Sequence, residues 1–250
     1  MNGSLPNQDG VSVQVRGLRK AFDGQDVLRG LDFDVQPGEV FVIMGPSGSG
    51  KTVLLKHLIG LEEPDAGEIL IEGQPIQSSD VLEQYRLAMV FQSGALFDSL
   101  TVGENVLFSL ELREDYSAHN KEDVVNGLLK MVDILEARDA YPSDLSTGYR
   151  RAVAIARALA AQPQCILYDE PTTMVDPIMS DHLGDMMLRL KRELKLTAVV
   201  VTHDLDLMYK VADKVVFLFE GKVIYFGPTA EMEKSPHPHI QEFLEMDKVL

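Results

Sequence analysis

Gly45, Pro46, Ser47, Gly48, Ser49, Gly50, Lys51 and Thr52 fit the pattern G-x-x-x-x-G-K-[ST], between the apolar run Val40 to Met44 and a helix-like stretch, Val53 to Ile59. Strand, glycine-rich loop, helix is the context in which such a loop binds phosphate, and it commits the chain to an α/β fold. The loop bends so that successive N–H groups point inward at an anion, and the N-terminal end of the following helix adds positive potential. In that arrangement Lys51 reaches the β- and γ-phosphates and the Thr52 hydroxyl ligates Mg²⁺. The competing reading, a glycine-rich turn that happens to spell the pattern, explains neither the strand before it nor the helix after it.

The 250 residues, 45% of them hydrophobic, are enough for one α/β domain with an inserted lobe. A net charge of -16 argues against unaided binding to nucleic acid or anionic lipid, both of which need basic patches. Any membrane contact is therefore expected through a protein. The longest apolar runs, such as Val215 to Phe219, fall well short of the ~20 residues of a membrane span. Met1 to Gly10 is polar and does not read as a signal peptide, which places the chain in the cytoplasm. The lone Cys165 lies in an expected buried strand, where a small apolar role fits it.

Val11, Val13 and Val15 alternate with polar residues, as do Leu31, Phe33 and Val35, and Glu68 to Glu72 is another short strand candidate. These early strands imply a β-rich lobe beside the phosphate loop. From about Leu96 the pattern turns helical: Thr101 to Glu104 spells a capping box opening a helix over 105–112, and Val124, Val125, Leu128, Leu129 and Val132 share one helix face. Beyond this all-helical insert, Cys165 to Asp169, Ala198 to Thr202 and Val215 to Phe219 are continuous apolar runs separated by helices, as buried parallel strands are. Glu220 and Gly221 read as a hairpin turn, and Pro236 and Pro238 as a loop before a last helix over 240–249.

A hydrophobic strand ending in Asp169 and Glu170 delivers two carboxylates beside the phosphate loop. Asp169 then suits a direct or water-mediated Mg²⁺ ligand, and Glu170 a group that polarises a water for attack on the γ-phosphate.

With these motifs in this order, nearly the whole chain resembles the ATP-binding-cassette (ABC) family. Phe22 stands where the family has an aromatic that stacks on adenine, Gln92 in Val90 to Ser93 matches the Q-loop, and Leu145 to Tyr149 occupies the signature position. Met174 to Asp176 matches the D-loop, and Thr202, His203 and Asp204 the switch histidine. The resemblance implies a P-loop NTPase with a mostly parallel RecA-like sheet core, an N-terminal antiparallel β lobe and an inserted α-helical subdomain. It divides the chain into a flexible stretch 1–10 and one domain 11–250, with lobe and core in 11–95 and 160–235, the helical subdomain in 96–159 and a C-terminal helix in 236–250. It assigns Lys51, Gln92, Glu170 and His203 to catalysis, and Phe22, Gly45 to Val53, Ser146, Thr147, Gly148 and Asp169 to ATP. Thr52, Gln92 and Asp169 are its Mg²⁺ ligands. Two copies close head to tail, Ser146 and Gly148 of one facing the phosphates held by Lys51 of the other.

Single positions keep a second reading: Phe22 as a core residue of the lobe, Gln92 as a strand end, His203 as a satisfied histidine. His237 and His239 suggest a metal superficially, but two histidines in a proline loop fall short of a site. Within the family, the stretches Gly50 to Gly60, Phe91 to Phe97 and Thr101 to Val106 resemble the ATPase of Mla-type lipid transporters, whose permease works with a mammalian-cell-entry-type lipid-binding protein. The chain then sits on the cytoplasmic face of the inner membrane, docked on a permease. Thr147, Tyr149, Met174 and Val175 depart from the family pattern. Two other functions compete: the ATPase of an ABC system of another class (amino-acid import, lipoprotein release or envelope force transmission), and a cassette that remodels nucleic acid or ribosomes, which one cassette with acidic charge does not favour.

Overall fold

A computed structural model describes residues 9–77, 81–112 and 121–247. Two sheets and a group of helices surround the phosphate loop. The first sheet contains β1 (Val13–Phe22), β2 (Gln25–Val35), β4 (Ala66–Ile71) and β5 (Gln74–Pro75) in the order β2-β1-β4-β5, antiparallel throughout. The second contains β3 (Val40–Met44), β6 (Leu87–Val90), β7 (Cys165–Asp169), β8 (Thr197–Val201), β9 (Lys214–Phe219) and β10 (Lys222–Pro228) in the order β10-β9-β3-β8-β7-β6. It is parallel except for the β9–β10 hairpin, whose turn residues Glu220 and Gly221 both take positive φ, the two-residue geometry that matches strand twist.

Side chains along the parallel strands point alternately to two cores. Val42, Tyr168, Val200 and Phe217 face one, built with α5 (Thr147–Ala160), α6 (Pro177–Leu194) and α7 (Leu205–Val211). Ile43, Leu167, Val199 and Val216 face the other, which the antiparallel lobe and α1 (Lys51–Leu58) complete. Burial on both faces explains why these strands read as unbroken apolar runs.

Among the described residues the helical insert comprises α3 (Val102–Glu111), α4 (Lys121–Met131), two single 3₁₀ turns and α5. Thr101 caps α3 as expected: its hydroxyl accepts from the Glu104 N–H, and the Glu104 carboxylate accepts from the Thr101 N–H at 2.7 Å. The helix starts three residues before the expected 105 because a capping box places its first turn directly after the cap. Leu128, Leu129 and Val132 are buried.

The last helix, α9 (Pro238–Asp247), begins at Pro238 instead of after it, since proline fits a first turn that needs no N–H; its expected end at 249 lies outside the described residues. Residues 1–8 of the stretch expected to be flexible also lie outside them, whereas Gly10 donates to the Lys195 carbonyl. His239 stacks on Phe219 with ring centroids 3.8 Å apart, a packing role. Burial pushes the Cys165 thiol up to about 12, consistent with an inert core residue.

Candidate nucleotide site

The phosphate loop runs from the end of β3 into α1. Gly45 takes φ 143° and is wedged against β9, so that a Cβ there would lie 2.1 Å from the Leu218 carbonyl oxygen. Only glycine fits that contact. The Lys51 ammonium folds back over the loop and donates to the carbonyls of Gly45 (2.7 Å) and Pro46 (3.0 Å), which uses two of its three N–H groups and leaves the third for a phosphate oxygen. Burial holds the Lys51 ammonium below the usual lysine range, and the charges of Glu170 and Asp169 oppose this.

A cleft of about 470 Å³ opens over the loop. Ser47, Gly48, Gly50, Lys51, Thr52 and Val53 form its floor, and Gln92, Glu170 and His203 stand on its walls. Sequence reasoning did not select two other wall residues, Val27 and Thr173. Val27 carried no signal, being one apolar residue in an alternating strand. Thr173, three residues beyond Glu170, donates to its Oε2 at 3.1 Å.

Glu170 ends the chain's exit from β7 with φ 48°, a left-handed conformation that costs a non-glycine residue energy and recurs at functional sites. Its N–H donates to the Val201 carbonyl at 2.9 Å, tying it to β8. Its Oε2 also lies 2.8 Å from His203 Nδ1, on the segment following β8. Carboxylate and imidazole, from neighbouring strand ends, thus form one contact pair in the cleft. The His203 ring is exposed and pairs with Glu170.

Asp169 is buried behind Lys51, and its Oδ1 has no hydrogen-bond partner. Burial, and next the Glu170 charge, raise its carboxyl above the ordinary aspartate range, with Lys51 pulling the other way. For both groups desolvation outweighs their mutual attraction, and Asp169 Oδ1 is left without a partner. Thr52 and Gln92 line the cleft whereas Asp169 lies outside its lining, and the hydroxyl, amide and carboxylate oxygens of the three are of the kind Mg²⁺ prefers. The orphaned Oδ1 fits such an ion.

An acid whose folded pKa lies above its unfolded value destabilises the fold above that range, and the penalty vanishes below the unfolded value. Asp169→Asn is accordingly expected to raise the melting temperature of the nucleotide-free protein at pH 7, a gain that fades as pH falls through the raised folded pKa and is gone below about 4. The same change is expected to weaken Mg²⁺-dependent ATP binding. Thermal melts across pH together with ATP titrations with and without Mg²⁺ check both; a lower melting temperature at pH 7 would contradict the burial argument.

The remaining expected positions lie elsewhere. Phe22 is 40% exposed with the Lys20 ammonium 5.2 Å from its ring centre, which removes the core reading; it does not line the cleft. Ser49 is buried with an unpartnered hydroxyl beside Gly45. Ser146, Thr147 and Gly148 open α5 and do not line the cleft of their own chain. Ser146 is the N-cap, accepting from the Tyr149 N–H, whereas the Thr147 hydroxyl accepts from Arg150 at 3.2 Å. A Cβ on Gly148 would lie 2.1 Å from Met179 Cγ of α6, so the glycine is fixed by packing within its own chain.

The profile of the ABC transporter family matches residues 28–173, more than half of the chain and inclusive of the loop, the Q-loop and the Asp169–Glu170 pair. The chain belongs to the ABC transporter family. It is the ATP-binding, ATP-hydrolysing subunit of such a transporter. The sulfate/thiosulfate import ATP-binding protein CysA of Synechococcus elongatus is 39% identical over 98% of this chain and 71% of its own length. The Arabidopsis thaliana protein trigalactosyldiacylglycerol 3, chloroplastic, is 35% identical over 96% of this chain and 75% of its own. Among solved structures, a dimeric ATP-binding cassette in a post-hydrolysis state with ADP and Pi superposes with a TM-score of 0.77 at 30% identity, covering 86% of this chain and 98% of that one. The fold expected from the motifs is therefore the fold observed.

Proposed function

We propose that this ABC cassette hydrolyses ATP with Glu170 as the general base and drives phospholipid transport across the cell envelope. The observation that carries the chemistry is the Glu170–His203 contact at the wall of the cleft, above the Lys51 loop. Glu170 takes a proton from the attacking water at Oε2. His203 and Thr173 fix the direction in which that oxygen points. Lys51 and the loop N–H groups hold the β- and γ-phosphates as charge builds on them. Mg²⁺, when bound by Thr52, Gln92 and Asp169, supplies further neutralisation of phosphate charge.

Ser146, Thr147 and Gly148 serve the nucleotide of a second copy, a reading supported by their position outside their own chain's cleft and by the dimeric cassette it resembles. Phe22 stacks on the adenine. Membrane attachment is through a permease on the cytoplasmic face; among the described residues no helix is long and apolar enough to cross a membrane.

Phe97 supports a docking role. It is 43% exposed, packs edge-on against Phe108 with centroids 4.8 Å apart, and lies beneath the Arg157 guanidinium. Phe97→Asp is expected to abolish co-purification with the permease while ATP affinity stays within about twofold; undiminished co-purification would make Phe97 a packing residue only.

The lipid reading rests on the stretches Gly50 to Gly60, Phe91 to Phe97 and Thr101 to Val106, and is supported by a relative named for a glycolipid. A second reading, import of a small oxyanion, is favoured by the relative named for sulfate and thiosulfate. Mass spectrometry of lipids and proteins co-purifying with the tagged chain separates them. Enriched phospholipid and a mammalian-cell-entry-type subunit support the first; a soluble oxyanion-binding protein without enriched lipid replaces it with the second.

A further inference from the structure

Gln92 sits at the tip of a turn. The Phe91 carbonyl accepts from the Gly94 N–H at 2.8 Å, leaving Gln92 and Ser93 as the two central residues of a β-turn whose Gln92 side chain lines the cleft. The turn leaves β6 and continues through Gly94 (φ 79°) and Ala95 (φ 47°), two successive left-handed residues, the second of them a non-glycine. A segment with this backbone is weakly held by itself: among the described residues, its local bond at Ala95 is a 3.3 Å contact from the N–H to the Ser93 hydroxyl.

Its carbonyls, however, are held from outside. Arg157 in the last turn of α5 donates NH1 to the Ala95 carbonyl at 2.7 Å and NH2 to the Gly94 carbonyl at 3.0 Å. One planar guanidinium grips two consecutive carbonyls, a fork that lysine cannot reproduce. Arg151, buried on the same helix, reaches the Phe91 carbonyl at the other end of the turn, at a longer 3.5 Å. Both ends of the Gln92 turn are therefore fastened to one helix, and that helix begins at Ser146.

We propose that Arg157, with Arg151, is a positioning residue that locks the Gln92 turn to the signature helix, so that Gln92 enters the site only in step with α5. A displacement of Ser146 or of the docking residue Phe97 is then transmitted to Gln92 through one rigid rod. Neither arginine lines the cleft; both act through main-chain carbonyls. The proposal rests on Gln92 acting at the ATP site, and the experiment separates the two.

ATP turnover, ATP affinity and the Mg²⁺ concentration for half-maximal turnover are measured on the full-length chain for Arg157→Met, Arg157→Lys and Gln92→Ala, with the folded fraction fixed by thermal melts. Arg157→Met is expected to lower kcat per folded chain about tenfold and to raise the half-saturating Mg²⁺ severalfold, as Gln92→Ala does, with ATP affinity within twofold. Arg157→Lys, which keeps the charge but reaches one carbonyl, is expected to fall between, and it carries the test if Arg157→Met does not fold. An Arg157 variant that lowers only the melting temperature, with kcat and Mg²⁺ dependence unchanged while Gln92→Ala alters both, overturns the proposal and leaves the reading of Gln92 intact. If Gln92→Ala itself changes neither, the reading of Gln92 fails, and the proposal with it.

Discussion

Glu170→Gln is expected to reduce ATP turnover by at least ~10²-fold while ATP still binds. The substitution is close to isosteric, and glutamine keeps a carbonyl oxygen that can accept from His203 and from the Thr173 hydroxyl, now 2.8 and 3.1 Å from the carboxylate. Position is preserved and basicity is lost. The barrier rises by about 2.7 kcal/mol for a hundredfold loss. Binding is unaffected because the phosphates are held by Lys51 and the loop, on the floor of the cleft. Steady-state phosphate release and ATP titration on the same preparation separate the two quantities, and near-wild-type hydrolysis would remove Glu170 from the role of base.

Gly45→Ala is expected to damage the site from beneath. The new methyl would be 2.1 Å from the Leu218 carbonyl oxygen and 2.9 Å from the Ser49 hydroxyl, with a backbone φ of 143° that alanine resists. Leu218 belongs to β9, which pairs with β3 up to Met44 and Phe217, so neither strand can yield without disturbing the sheet. The loop moves instead. A displacement costing about 3 kcal/mol corresponds to roughly a hundredfold loss of ATP affinity. Gly48→Ala is the control: its φ is 80°, but a Cβ there meets nothing within 4 Å, so backbone strain alone acts, at about 1 kcal/mol. Calorimetric titration of ATP into both variants checks the order. Equal affinities would mean that the loop relaxes around the clash.

The parts of this molecule that repeat a local rule could be read from its sequence. The two-sided strands appear as unbroken apolar runs because both faces are buried, and the capping box at Thr101 and the turn at Glu220 are spelled by neighbouring residues. The candidate site was legible where residues follow one another, as in the loop from Gly45 to Thr52. It was not legible where distant segments meet. Nothing in sequence marks Val27 as a wall of the cleft, Arg157 as a clamp on Gly94 and Ala95, or Gly148 as a seat for Met179. Phe22 shows a third case: its apolar character suits a core or a surface equally, and only the end of β1 places it in solvent. At the start of α5 the cap is Ser146, one residue before Thr147, whose hydroxyl instead accepts from Arg150.

The pairing of β3 has a consequence for how the chain is made. The antiparallel lobe closes on contacts among β1, β2 and β4, all near the N-terminus. The strand that carries the phosphate loop does not: Val42 pairs with Val200 on one side and Val215 on the other. During synthesis β3 and its loop therefore leave the ribosome without either neighbour, and most of the polypeptide must follow before they arrive. Until then β3 presents two open edges of apolar strand, the kind of surface that invites chaperones or misassembly. The nucleotide cradle, early in the sequence, is among the last parts of the molecule able to form.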